Sequence, residues 1–215
     1  MWQVQRLAWK HDLIERVEQR VHASPVAPPG RAQWPRVDVA NSEYLRVRVD
    51  GRFRHDKEVL VQAVTELGGG FWVLTPLVTA EGYTVLINRG FVPPTLRDPT
   101  TRAQSKIDGT TTVTGLLRLS EPGGGYLRSN QPAADRWYSR DVPAIAAARG
   151  LTDVAPYFID AEASSPQITG EPVGGLTVIA FSDNHLQYAL TWFALALMLA
   201  AGAGLVLRHE WRLRT

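Results

Sequence analysis

Residues 44–54 read YLRVRVDGRFR, and in them Leu45, Val47 and Val49 alternate with Arg46, Arg48 and Asp50. A two-residue period puts the apolar side chains on one face of an extended chain and the charged ones on the other, as in a half-buried strand. Stretches rich in β-branched and aromatic residues follow at 58–63, 71–78, 83–92, 110–119, 157–160 and 176–181. Turn-forming clusters divide them: Gly68-Gly69-Gly70, Glu81-Gly82, Pro93-Pro94, Pro122-Gly123-Gly124-Gly125 and Gly174-Gly175. Residues 24–35 (SPVAPPGRAQWP) form a Pro-rich hinge ahead of the first strand. One soluble helix is expected at 142–149, with Asp141 as N-cap, Pro143 in the first turn and Gly150 ending it. The fold expected is α+β, a mainly antiparallel β domain, with closure into a barrel as one arrangement that removes free sheet edges.

The 215 residues carry 23 Lys plus Arg against 21 Asp plus Glu, and no cysteine. The small excess is local: Arg208, Arg212 and Arg214 oppose only Glu210 in the last eight residues, and the rest of the chain is balanced. No nucleic-acid partner is expected, because phosphate neutralisation needs clustered, uncompensated cations. The absence of cysteine excludes a disulfide framework, thiolate zinc and copper sites, thiol redox chemistry and thioether attachment of haem. Only Lys10, Lys57 and Lys106 are lysine, a usage in keeping with a GC-rich bacterial genome. With 45% hydrophobic and 20% charged residues, the chain reads as one globular domain with appendages.

Residues 188–207 (YALTWFALALMLAAGAGLVL) run for 20 positions without a charge. As a helix they extend about 30 Å, the thickness of a bilayer's hydrocarbon core, so a transmembrane helix is expected over 185–207. The basic tail 208–215 then stays in the cytoplasm, and the domain over 23–184 lies on the other side. Export of such a domain needs a signal, yet residues 1–22 (MWQVQRLAWKHDLIERVEQRVH) read as an amphipathic helix interrupted by charges. We therefore expect a first transmembrane helix upstream of Met1. Sequencing the genomic DNA before that codon tests this: an in-frame apolar stretch of about 20 codons is predicted, and a stop codon without one contradicts it.

Catalytic templates are missing: there is no GxGxxG opening a helix, no P-loop, no HExxH and no GxSxG. The dispersed histidines offer no nucleophile–base pair, so the chain is not read as an enzyme. His185 stands apart, directly before the apolar run, with Ser182 or Asp183 able to cap the helix. On that helix His185, Tyr188, Ala189 and Trp192 share one stripe. Two readings stand: an interfacial histidine within an ordinary aromatic belt, or an axial imidazole beside a dry wall for a haem. Ala196, Ala200 and Gly204 add a small-residue ridge on the same helix.

Four blocks carry a resemblance. They are Trp2 to Lys10 (WQVQRLAWK) with Leu13-Ile14; Thr75-Pro76-Leu77 leading to Val85 to Pro93 (VLINRGFVP); Gly115 to Arg118 (GLLR) with Glu121, Asn130, Pro132, Trp137 and Tyr138; and Asn184 to Phe193 (NHLQYALTWF). Together they resemble the surfeit locus protein 1 family, membrane assembly factors for cytochrome c oxidase, along nearly the whole chain. The family has two membrane helices flanking an outer domain, and this sequence departs from that pattern in lacking the first.

The resemblance implies a non-enzymatic assembly factor that holds or delivers haem a, bound transiently and non-covalently, for insertion into subunit I of haem-copper oxidase. The other reading it leaves open is a subunit I chaperone that binds no haem. Implied partners are subunit I, the haem a synthesis enzyme and the lipid bilayer, at a bacterial inner membrane with the domain on the periplasmic side. The resemblance implies His185 as the axial ligand; by helix geometry alone, Asn184 and Gln187 are placed to orient the imidazole and Tyr188 and Trp192 to flank the ring. Arg89 is expected in a strand-end turn, paired with a carboxylate; the alternative is a contact with a haem propionate.

Overall fold

The computed structural model describes residues 17–125, 128–164, 170–177 and 185–214. The chain divides into two units, 1–177 and 178–215.

In the first unit, strands β1 (Arg46–Phe53), β2 (Val59–Thr65), β3 (Gly68–Thr79), β4 (Thr84–Val92), β5 (Thr110–Leu119) and β8 (Val154–Ala161) build one sheet. Its order is β1-β5-β8-β4-β3-β2, and β1 also pairs with β3. Five strands thus close into a barrel, and β2 extends outward from β3. The strand expected at 44–54 supplies the closure: Arg46 to Arg52 pair with β5, while Gly51, Arg52 and Phe53 pair with Thr79, Val78 and Leu77 of β3.

Side-chain alternation sorts two cores. Val47, Val49, Leu77, Val85, Ile87 and Ile159 meet inside the barrel. Leu74, Leu86 and Phe158 face outward and meet Val61 of β2, Trp137, and Val142 and Ile145 of helix α2 (Val142–Arg149). Strand β4 is covered on both faces, which is why TVLINRGFV reads as a continuous apolar run rather than an alternation. The hinge folds into a short 3-10 helix, Arg31–Arg36, whose Trp34 packs edge-on against Tyr83 with centroids 5.6 Å apart. Burial pushes the Tyr157 phenol's pKa up; its hydroxyl donates to the Pro29 carbonyl at 2.7 Å.

Helix α2 follows its expectation. The Asp141 carboxylate accepts from the Ala144 N–H at 3.1 Å, Pro143 lies in the first turn, and Gly150 ends the helix in the left-handed region. The sheet is mainly antiparallel as expected, with β4 and β8 as its parallel pair, joined by the long excursion through β5 and α2. Other expectations need correction. Gly68-Gly69-Gly70 begin β3, and the turn falls at Glu66-Leu67. Gly124–Gly125 forms β6, paired with β7 (Arg128–Ser129). Residues 176 and 177 carry no strand, and 178–181 lie outside the described residues.

Helix α1 is described over 17–22, where Arg20 donates to the Glu43 carbonyl at 3.1 Å. The rest of the expected amphipathic helix lies outside the described residues. In the second unit, α3 (His185–Arg214) forms over the expected 185–207 and runs on for 30 residues in all, so the basic end is helical through Arg214. Among the described residues no helix is long and apolar enough to cross a membrane; within α3 the side chains described are 191–204, 209, 211 and 212.

Gly51 tests the closure. A Cβ there would stand 2.4 Å from the Val78 carbonyl oxygen and 2.8 Å from the Leu77 side chain. Gly51→Val is expected to lower unfolding stability by about 1–3 kcal/mol, read from urea midpoints of the detergent-solubilised full chain. Gly69→Ala, where a Cβ meets nothing within 4 Å, should stay within about 0.5 kcal/mol of the parent. Equal midpoints for the two variants would contradict closure at β1.

Candidate functional site

His185 is the first residue of α3, so the helix expected to bear it exists. The spacing of His185, Tyr188 and Trp192 puts them on one helical stripe. The side chains of His185, Gln187 and Tyr188 are not described, and Asn184 with the capping pair Ser182 and Asp183 lies outside the described residues. Farther along, Trp192 is 70% and Phe193 71% exposed, and Leu197 and Leu199 are similarly uncovered.

The β unit concentrates buried charge on the outer face of the β4–β8–β5 seam. Asp160, at the end of β8, is 5% exposed. Its register places it beside Asn88 of β4 and Leu116 of β5. The Asn88 amide donates to its Oδ1 at 2.8 Å, and Arg140 Nη1 donates to the same oxygen at 3.2 Å. Arg118 Nη1 reaches Oδ2 at 3.4 Å, and the Thr177 hydroxyl donates to Oδ2 at 3.0 Å. Each guanidinium has a further carboxylate: Arg118 Nε donates to Glu43 at 3.1 Å, and Arg140 Nε to Glu121 at 3.0 Å. Arg140 also lies over the Phe158 ring, 4.7 Å from its centroid.

Such a cluster is stable only when every charge is answered, since desolvation of each ion is costly. Burial pushes the Glu121 carboxyl up, but the hydrogen bond and charge of Arg140, with Arg118 beyond it, outweigh burial and hold it below the usual carboxylate range. Burial likewise works against the Arg140 cation, and Asp160 and Glu121 more than compensate. Thr177 is the last described residue before the connection to α3, so the cluster fixes the chain where the first unit ends.

Arg89 departs from its expectation. It sits inside β4 rather than in a strand-end turn, and among the described residues it forms no salt bridge, the charges of Glu58 and Glu171 acting on it from farther off. Its Nη2 donates to the Ser105 carbonyl, its Cζ lies 5.3 Å from the centroid of Phe53, and its Nη1 has no hydrogen-bond partner. The carboxylate nearest in kind, Glu58, is taken by Arg102, which forks onto it and is 2% exposed. Among the described residues no cluster of His, Asp and Glu could hold a metal ion.

With this geometry in hand, comparison with known proteins places the chain. The SURF1 family model matches residues 1–197. The chain belongs to the SURF1 family. It is 38% identical to surfeit locus protein 1 of Homo sapiens over 212 residues, which cover 91% of this chain and 68% of the human protein. The Rattus norvegicus protein is 36% identical, with 90% of this chain and 66% of that protein covered. For Takifugu rubripes the identity is 32%, covering 90% of this chain and 85% of its relative. The chain thus spans about two thirds of the length of the mammalian members.

The matched region takes in the whole barrel and the start of α3, so the cluster at Asp160 and the His185 helix both belong to the SURF1 part of the chain. Sequence reasoning missed the cluster. Its one signal was a carboxylate closing the apolar run YFID, where a charge ends a buried strand instead of entering a turn.

Two outcomes are expected. Asp160→Asn keeps the shape but leaves two guanidinium groups short of a countercharge, and should cost about 3–5 kcal/mol of unfolding free energy. Because the Glu121 pKa is depressed in the fold, its contribution is complete above the unfolded value near 4.3 and is lost as pH falls through the folded one. Denaturation midpoints should therefore be flat from about pH 7 to 5 and fall below that. Arg140→Gln should shrink the acid-side fall; an unchanged fall would contradict the Glu121 assignment.

Proposed function

We propose that this chain is a membrane-anchored assembly factor for haem-copper (cytochrome c) oxidase that holds haem a for insertion into subunit I. The observation that carries the reading is the SURF1 family match over residues 1–197, and membership in that family is consistent with a role in cytochrome c oxidase assembly. The bilayer anchor rests on the 20 uncharged residues at 188–207 and on the uncovered apolar side chains of α3.

The residues present suit a haem. His185 opens a helix, and the stripe that follows it runs to Trp192, 70% exposed, and onto an open apolar surface. One imidazole beside an apolar wall is the donor set of a transient haem site. When bound, haem a brings an isoprenoid tail that is insoluble in water, so a holder at the bilayer surface keeps the tail in lipid. In this role His185 donates a nitrogen lone pair, Asn184 and Gln187 hold the ring's orientation, and Tyr188 and Trp192 exclude water. The absence of cysteine precludes thioether attachment, which suits a carrier that must release its cargo. Subunit I and the haem a synthesis enzyme are the proposed partners, at an inner membrane with the barrel on the periplasmic side.

The absorption spectrum of the full-length protein, purified after co-expression with haem a synthesis, tests this. A haem a band is expected in the parent and should be lost or shifted in His185→Ala. An unchanged spectrum in the variant would refute His185 as ligand, and co-purification of subunit I without haem in the parent would favour a scaffold instead.

A further inference from the structure

We propose that the cavity at Arg89 in the barrel wall is a binding site for one carboxylate carried on a short aliphatic arm. The site begins with a buried donor, Arg89 Nη1, that no described group accepts. Arg89 and Arg102 both lie in the field of Glu58, but Arg102 takes both oxygens of that carboxylate. Arg89 donates to one backbone carbonyl, that of Ser105, lies over the face of Phe53, and feels the charge of Glu171 at the cavity's edge. Its Nη1 is shielded from solvent and has no hydrogen-bond partner among the described residues. A buried donor left unmade costs about 1–3 kcal/mol, which an accepting ligand would relieve.

The space beside it has the dimensions of a small group. A cavity of about 250 Å³ is lined by Phe53, Ile87, Arg89, Ile107 and Thr111, with Glu171 and Pro172 at its edge. That is smaller than the roughly 300–1,000 Å³ of sites that enclose whole small molecules, and too small for a macrocycle. Apolar walls from Phe53, Ile87 and Ile107 suit methylene groups. The guanidinium suits a carboxylate, whose oxygens accept N–H bonds in a matching plane. Glu162, which also borders the cavity, is already engaged by Arg46 at 2.6 Å and does not compete for Arg89.

A second unpartnered nitrogen borders the same aromatic ring. His55 lies 5.4 Å from Phe53 between centroids, and its Nε2 is 3.2 Å from both the carbonyl oxygen and the backbone nitrogen of Ile107. Its Nδ1 has no partner among the described residues. Burial lowers the His55 pKa, and the Arg89 charge adds to the effect, so the ring is neutral near pH 7 and does not draw the anion away. The site uses no group of α3 and stands whether or not His185 binds haem.

The test is titration of the haem-free full chain with sodium propionate, followed by the side-chain 15N–1H signals of Arg89 and by thermal midpoint. Saturable shifts of the Arg89 signals and a rising midpoint are expected. Affinity should fall about tenfold or more in Arg89→Gln and less in Arg89→Lys. His185→Ala should respond as the parent does, which separates this site from the haem reading. Unsaturable shifts in the parent, a signal shift equal to that with sodium chloride, or an equal midpoint response in Arg89→Gln would each overturn it.

Discussion

An open sheet leaves rows of backbone N–H and C=O groups at its two edges, and a domain of this size has little spare surface with which to hide them. Here β1 closes five of the strands into a ring by pairing with β5 along most of its length and with β3 through Gly51, Arg52 and Phe53, leaving β2 outside it. Closure requires two backbones to approach on either side of one residue, and Gly51 is where no side chain intervenes. From that contact follow a sealed interior of Val, Leu, Ile and Tyr, and an outer face on which β2, Trp137 and α2 make a second core. The hinge segment is held against the interior by Trp34, Tyr83 and Tyr157.

The barrel's wall also carries charge that a minimal scaffold would not need. Asp160 answers Arg118 and Arg140, and Glu58 answers Arg102, so most of the buried cations are matched with carboxylates. Buried ion pairs seldom add stability relative to apolar packing; they fix one arrangement and are destructive when halved. At Asp160 that arrangement includes Thr177, the point from which the chain leaves for the His185 helix.

The strands were legible because half-buried and doubly buried strands leave different marks, alternation in YLRVRVDGRFR and an unbroken apolar run in TVLINRGFV. Helix α2 was legible from Asp141, Pro143 and Gly150, local chemistry that acts within one turn. The parallel β4–β8 pair was not, because pairing across sixty-odd residues depends on which face of the barrel the intervening chain crosses, and no local period records it. Glycine misled at Gly68 to Gly70, where it starts a strand instead of turning one. Of the candidate site, His185 was visible because a lone histidine before 20 uncharged residues is conspicuous. The Asp160 cluster joins β4, β5, β8 and the loop before α2, and only the folded register brings its members together.

If the chain serves haem a insertion, its loss must show in the oxidase. The direct measurement is the haem a content of oxidase subunit I purified from the native host with this gene deleted and then restored. Deletion should yield subunit I with haem a well below stoichiometric amounts, recovered on restoring the parent chain and not on restoring His185→Ala. Full haem a occupancy of subunit I in the deletion strain would contradict the account.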